Sequence, residues 1–89
     1  MAQPYRSTPV FDENTLPAAL RSNHKTKAGV WGLIRVLEGT LTLTYADSAS
    51  QLELSPGNPG IVAPEQEHFV TPSGPMRMQV DFYDEPPSP

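Results

Sequence analysis

Proline is the feature that most constrains the fold of this chain, because it accounts for eleven of the 89 residues. A proline inside a helix removes a backbone hydrogen bond and clashes with the preceding turn, so long helices do not fit between these breaks. Six glycines add further turn positions. Short strands joined by turns remain, with room for one short helical turn within residues 12–20, and the sequence therefore predicts an all-β domain.

The clearest strand patterns lie in the first half of the chain. Residues 30–37 read VWGLIRVL, a nearly unbroken apolar run that is typical of a strand covered on both faces. Residues 40–45 alternate strictly, with Leu41, Leu43 and Tyr45 on one face and threonines on the other. The Glu38-Gly39 pair between the two runs predicts a tight turn, and hence a hairpin.

Further strands are predicted at residues 51–55, 61–63, 68–71 and 76–83. The last of these alternates, and its Met76 and Met78 are expected to fill the core. Six or seven short strands at this spacing indicate a sandwich or a barrel, and we expect a closed barrel because closure removes exposed sheet edges. The domain is expected to span residues 5–83, between a flexible N-terminus at 1–4 and a disordered, acidic, proline-rich tail at 84–89.

Composition excludes several classes of function. No cysteine is present, so disulfides, thiolate metal sites and cysteine nucleophiles are ruled out, and a reducing compartment, the cytoplasm, is expected. The formal net charge of −4 argues against nucleic-acid binding. No apolar run approaches the length of a membrane span or a secretory signal. No nucleophile elbow or phosphate-binding glycine motif frames the serines and threonines, and we assign no catalytic residue.

Two histidines, His24 and His68, are the candidates for chemistry. Two imidazoles and one carboxylate form the set that holds non-haem iron, and a related set serves catalytic zinc. Glu65 or Glu67 is the candidate carboxylate. The alternative is that both histidines are ordinary hydrogen-bonded or solvated residues.

Basic residues surround His24 in a stretch from 21 to 37 that contains no acid. This stretch is either a solvated surface or a local attractor for a small anion. The candidate residues for an anion or ligand pocket are Thr26, Lys27, Trp31 and Arg35.

Several ordered motifs resemble the TehB/YeaR-like family, whose founding member is associated with tellurite resistance. They are FDENTLPAAL at 11–20, HKTKAGVWG at 24–32, VLEGTL at 36–41, VAP at 62–64 followed by His68, and VDFY at 80–83. The resemblance runs from about residue 5 to residue 83. It implies a small, single-domain, cupin-like β-barrel of the jelly-roll type.

The resemblance also bears on the site. The position of His24 matches a family histidine and that of His68 matches the histidine of the second cupin motif, which implies a divalent metal (zinc, nickel or iron) with Glu65 as the preferred third ligand. The H-x-H pattern followed by glutamate that is usual in cupins is absent. In longer TehB proteins this domain precedes a methyltransferase that uses S-adenosylmethionine, and we expect no such activity from these residues.

Three hypotheses follow. The first is a homodimeric binding module that holds a divalent metal or a small oxyanion in a response to tellurite or a related stress. The second is a metal-dependent cupin enzyme of the dioxygenase or isomerase type. The third is an interaction module without a small ligand, serving a partner protein.

Overall fold

The computed structural model describes residues 3–87, which contain eight β-strands and one 3-10 turn. The elements are β1 (Arg6–Ser7), β2 (Phe11–Asp12), the 3-10 turn (Ala18–Arg21), β3 (Trp31–Glu38), β4 (Leu41–Tyr45), β5 (Ser50–Leu54), β6 (Gly60–Val62), β7 (His68–Pro72) and β8 (Arg77–Tyr83). The prediction of an all-β domain is confirmed. The two short strands β1 and β2 were not predicted. Residues 1–2 and 88–89 of the predicted flexible ends lie outside the described residues, and the predicted domain limits stay a prediction.

The strands form two antiparallel sheets. In the large sheet the order is β1-β8-β3-β6, and β2 also pairs with β8. In the small sheet the order is β5-β4-β7. The apolar faces of both sheets contribute to one buried cluster, so they pack against each other as a sandwich.

The prediction of a closed barrel is wrong. Within residues 3–87 no ladder of hydrogen bonds joins the large sheet to the small one, and β5 and β6 each have a neighbour on one side only. The physical reason is that face-to-face packing buries the apolar side chains of both sheets without closure. The strands at the sheet edges, β1, β5, β6 and β7, stay short, at two to five residues, which limits the exposed backbone.

The predicted hairpin between β3 and β4 is also not formed. The turn lies at the predicted place, and Gly39 adopts the left-handed conformation there, with a φ of 76°. However, β3 pairs with β8 and β6, whereas β4 pairs with β5 and β7. The turn therefore carries the chain from one sheet to the other.

A group of buried side chains lies beside that turn, in a region that we call the closed end. Its side chains come from both sheets and are almost completely buried: Val36, Leu41, Leu54 and Met76. Met78 is also fully buried, so the prediction that both methionines fill the core is confirmed. By contrast, Leu52, on the edge strand β5, is 47% exposed.

Within residues 3–87, no helix is long and apolar enough to cross a membrane.

Candidate functional site

One backbone contact brings the two histidines together. His68 begins β7, and His24 follows the 3-10 turn. The two residues form an isolated antiparallel bridge, in which the His24 amide donates to the His68 carbonyl at 3.1 Å and the His68 amide donates to the His24 carbonyl at 2.9 Å. Side chains that are opposite in such a pair project to the same face. The centroids of the two imidazole rings lie 4.1 Å apart.

Each imidazole ring is oriented by a carbonyl of its own segment. The Nδ1 atom of His24 lies 2.9 Å from the Ser22 carbonyl, and the Nδ1 atom of His68 lies 2.8 Å from the Gln66 carbonyl. A carbonyl oxygen only accepts, so each Nδ1 carries the hydrogen and the neutral ring keeps its lone pair on Nε2. Neither Nε2 makes a hydrogen bond to another residue within 3–87. In its neutral form, each ring therefore offers an unshared lone pair on Nε2.

His68 is the more buried member of the pair, with 4% of its surface exposed. Burial lowers the pKa of its imidazole, because charging a ring away from water is unfavourable. The hydrogen bond to the Gln66 carbonyl opposes this change in pKa, and the charge of His24 adds to it. His68 is therefore neutral at pH 7, in the form that accepts a hydrogen bond or binds a metal.

The histidines line a cavity of about 440 Å³ between the two sheets, at the end of the sandwich opposite the closed end. We call this region the open end. Most of its wall is apolar and comes from strands of both sheets: Ile34, Val62, Val70, Met78, Val80 and Phe82. Gly32 of β3 also lines the cavity and contributes no side chain. A volume of this size falls within the range of small-molecule sites.

Three cationic side chains line the same cavity. Lys25 and Lys27 belong to the segment that carries His24, and Arg6 comes from β1. The guanidinium carbon of Arg6 lies 4.9 Å from the centre of the Phe82 ring, which is a cation–π distance. No Asp or Glu among residues 3–87 lines the cavity. The open end is therefore cationic within a chain whose net charge is −4.

Thr26 fixes the segment that forms one side of the open end. Its hydroxyl lies 2.8 Å from the Val30 carbonyl, to which it donates, and 3.4 Å from the Ala63 carbonyl. The same oxygen accepts from the Glu65 amide at 3.3 Å. These contacts hold the segment against the turn between β6 and β7. Of the predicted pocket residues, Thr26 and Lys27 line the cavity.

The other two predicted pocket residues lie elsewhere. Trp31 is half-buried and does not line the cavity. Arg35 lies on the outer face of the large sheet, where its Nε donates to Asp81 at 2.7 Å and its Nη2 donates to Gln79 at 2.6 Å. Asp81, 5% exposed, also accepts from the Ser7 hydroxyl at 2.7 Å. Side chains alternate along β3, and Ile34 and Val36 point inward, so Arg35 points away from the cavity. Its positive charge therefore stabilises the fold and does not face a ligand.

The predicted third ligand, Glu65, is not brought to the histidines. It lies exposed on the turn between β6 and β7, with a φ of 61°, and it does not line the cavity. Among residues 3–87, no group of three or more His, Cys, Asp or Glu side chains could hold a metal ion. The geometry supplies two nitrogen donors without a carboxylate.

Sequence reasoning missed Arg6, Gly32 and the apolar wall as parts of the site. For Gly32 a signal was present, since a glycine inside an apolar strand often marks a place where a ligand or another backbone comes close. For Arg6 no signal existed, because only the pairing of β1 with β8 places it there.

The TehB-like domain family matches this chain over residues 6–80. Among solved structures, TehB from Haemophilus influenzae has a TM-score of 0.82 and 25% sequence identity, over 91% of this chain. The match spans 30% of that protein. A protein from Escherichia coli strain K12 has a TM-score of 0.81 and 24% identity, covering 98% of this chain and 93% of its own length, and shows the shared fold. No curated protein matches the chain closely enough to add a relative.

Proposed function

This chain belongs to the TehB-like domain family, and on that premise we propose that it is a small-molecule binding module whose open end holds a small anion. The observation that carries the proposal is the cavity itself. It combines three cationic side chains with two histidines and contains no acidic side chain of residues 3–87. Opposite charges attract strongly in a cleft with apolar walls, which focuses the field.

The proposed anion is an oxyanion such as tellurite, in keeping with the association of the family with tellurite resistance. An oxyanion that retains a hydrogen can donate it to an Nε2 lone pair of the histidine pair, while its charge faces Lys25 and Lys27. This chemistry suits binding or sensing. No side chain is assigned as a nucleophile or as a general base for a reaction.

Isothermal calorimetry and thermal unfolding with tellurite, selenite and sulfate test the proposal. At one hundred times its dissociation constant, a ligand adds about 2.7 kcal/mol to the free energy of unfolding. Lys27→Met is expected to weaken binding by about fivefold or more, since one ion pair in water contributes about 1 kcal/mol.

The matched control for that substitution is Arg77→Met. Arg77 is an exposed cation that does not line the cavity, and its nearest carboxylate, that of Glu38, is 3.8 Å away. Its loss removes the same charge and should leave binding unchanged. If both substitutions weaken anion binding equally, the loss of affinity reflects only the net charge of the protein. If no oxyanion binds, an oxyanion-binding function is refuted.

A second candidate function is binding of a divalent metal, because the two Nε2 atoms share one face. Their Nδ1 hydrogens are held by carbonyls, which is the usual support for a metal-binding histidine. Zinc, nickel or iron would be held by His24 and His68, with Glu65 joining only if its turn moves. A metal-dependent dioxygenase or isomerase is the catalytic form of this candidate.

Elemental analysis of untagged protein and calorimetry with zinc test the metal candidate. His68→Asn keeps a donor for the Gln66 carbonyl but removes the Nε2 ligand. Stoichiometric metal that is lost in this variant supports the site. Metal content that stays low and unchanged removes both the metal candidate and its catalytic form.

We also propose that the chain has the cupin-type jelly-roll fold and that it works as a homodimer. Two packed antiparallel sheets are the framework of cupin-type jelly rolls, and this supports a place for the chain among them. A cytoplasmic homodimer is proposed as the working form, supported by the absence of cysteine and by the exposed Leu52 on an edge strand. Light scattering that gives the monomer mass at all concentrations would contradict the dimer.

A further inference from the structure

We propose that the ligand of the open end is an organic anion with an apolar body, such as a medium-chain carboxylate, rather than a bare inorganic oxyanion. This inference deepens the proposed function and rests on its anion site. It draws on three observations: the volume of the cavity, the composition of its wall, and the glycine at position 32.

The cavity is too large for an inorganic oxyanion alone. Its volume of about 440 Å³ corresponds to roughly fifteen water molecules at about 30 Å³ each. A small oxyanion at the histidines would occupy only a small part of this space. The wall side chains Ile34, Val62 and Met78 expose 3% or less of their surface, so an apolar extension on the ligand would gain free energy chiefly by removing its own surface from water.

Most polar and apolar parts of the wall come from different elements, with Arg6 on β1 of the large sheet as the exception. Lys25, Lys27 and His24 belong to one segment, joined by His68 at the start of β7. Apolar side chains come mainly from β3, β6 and β8 of the large sheet: Ile34, Val62, Met78, Val80 and Phe82. A ligand that suits this wall has a charged end for the first segment and an apolar body for the large sheet.

Gly32 leaves space that the fold does not require. Its φ lies outside the left-handed region, and a Cβ added there would meet Val62 Cβ at 3.8 Å and Thr26 Cγ2 at 3.9 Å, which are ordinary van der Waals distances. A glycine in a strand weakens the strand, so a residue with a side chain would suit this position better for stability alone. The missing side chain widens the cavity beside its apolar wall.

The other strand glycine, Gly60, has no such space for a Cβ atom. A Cβ at Gly60 would lie 2.7 Å from Leu43 Cδ2 and 3.1 Å from Leu54 Cδ1, so these buried leucine side chains would have to shift to make room for it. A Cβ at Gly32 would require no such shift. The role of Gly32 is accounted for by a ligand that occupies the space next to it.

The experiment is calorimetry of the full chain with straight-chain carboxylates from acetate to decanoate, and with octanol as the uncharged match for octanoate. Affinity is expected to rise about fourfold for each added methylene until the cavity is filled. Octanol is expected to bind at least fivefold more weakly than octanoate, because it lacks the charge that faces the lysines.

Gly32→Leu places a side chain in the space beside Gly32. The carboxylate that binds with the highest affinity is then expected to have a shorter chain. Gly74→Leu is the matched control, because Gly74 is exposed on a turn and an added Cβ meets nothing within 4 Å. Circular dichroism and thermal unfolding check that both variants fold. If Gly32→Leu does not fold, the smaller Gly32→Ala serves the same comparison.

The outcomes separate this inference from the proposed function. Tellurite binding without any dependence on carboxylate chain length overturns the inference and leaves the proposed oxyanion site standing. A rise in affinity with chain length, lost in Gly32→Leu, supports the inference. Equal binding of octanol and octanoate overturns the inference, since the cavity would then recognise no charge on these ligands, and binding of tellurite decides the proposed function separately. No binding of any carboxylate overturns the inference.

Discussion

The two ends of the sandwich differ although the same two sheets form both. At the closed end, Val36, Leu41 and Met76 belong to one buried cluster and are at most 5% exposed. At the open end, the corresponding positions are Gly32 and His68, and a cavity of about 440 Å³ lies between the sheets. A domain of 89 residues has little apolar surface to bury. Burial does not distinguish the two ends, since three wall side chains of the open end are also at most 3% exposed: Ile34, Val62 and Met78. What distinguishes the two ends is the cavity, which the two histidines and the cationic segment line.

The largest effect is expected from shortening a side chain at the closed end. Leu41→Ala should lower the free energy of unfolding by about 2–5 kcal/mol, because it leaves a cavity in a fully packed region. Urea denaturation measures the change. Leu52→Ala, on the exposed edge strand of the same sheet, is the control and should change stability by less than about 0.5 kcal/mol. Similar losses for both would contradict the close packing of Leu41 at the closed end.

The two strand glycines sharpen the comparison. Gly60→Ala introduces a methyl group against Leu43 and Leu54 and should cost about 1–3 kcal/mol by overpacking. Gly32→Ala adds the same methyl group at ordinary contact distances and should be neutral or stabilising by up to about 1 kcal/mol. Thermal unfolding of both variants gives the answer. Destabilisation by Gly32→Ala as large as that by Gly60→Ala would show that the open end is as tightly packed as the closed end.

A pair of cations distinguishes a ligand role from a structural role. Arg35→Met removes two hydrogen bonds from the buried carboxylate of Asp81 and should lower stability by about 1–2 kcal/mol, a value reduced by the partial exposure of Arg35. Lys27→Met should barely alter stability and should weaken anion binding. Denaturation and calorimetry on both proteins separate the two roles. An affinity loss in Arg35→Met that matches the loss in Lys27→Met would be inconsistent with this assignment.

The smallest expected effect is the change of stability with pH, which arises from His68 at the open end. The pKa of His68 is lower in the fold than in the unfolded chain, so between these two pKa values the unfolded state binds more protons. The stability contributed by His68 is therefore complete above about pH 6.5 and declines as the pH falls below it, with a slope of at most about 1.4 kcal/mol per pH unit. His24 faces this ring, and Arg6, Lys25 and Lys27 line the same cavity, so nearby positive charge acts in the same direction.

Urea denaturation at pH 7.5, 6.5 and 5.5 measures this dependence. His68→Asn should flatten it, because the variant has no imidazole to protonate at that position. Leu41→Ala should shift the whole curve downward and keep its slope, since the closed end contains no histidine. An unchanged slope in His68→Asn would show that another group is responsible.

The positions of the strands were predictable from the sequence, because apolar and polar residues alternate along a strand that has one buried face. The pattern from Met76 to Phe82 placed β8 correctly, and the pattern at Leu41 and Leu43 placed β4. Pairing was not predictable in the same way. The sharp turn at Gly39 suggested a hairpin, but a turn fixes only the direction of the chain, and the partner of each strand depends on residues far away in sequence.

The candidate site was predictable in its two histidines and in Thr26 and Lys27 of the basic segment. Their residue type singled out His24 and His68, and a backbone bridge between distant segments brings them together. The positions of Arg35 and Glu65 could not be deduced, because they depend on which face of β3 points inward and how the turn before β7 bends. Asp81 was also missed as a buried group, since its partners lie on β3 and β1.

The position of β8 in the large sheet has a consequence for biosynthesis. It is the final strand in sequence order among the described residues, yet β1, β2 and β3 all pair with it. A ribosome that builds the chain from its N-terminus therefore releases three strands before their common partner exists. The small sheet is complete once β7 emerges, whereas the large sheet must await β8. Nascent chains that stall before Arg77 would therefore display the apolar face of β3, a natural contact point for chaperones.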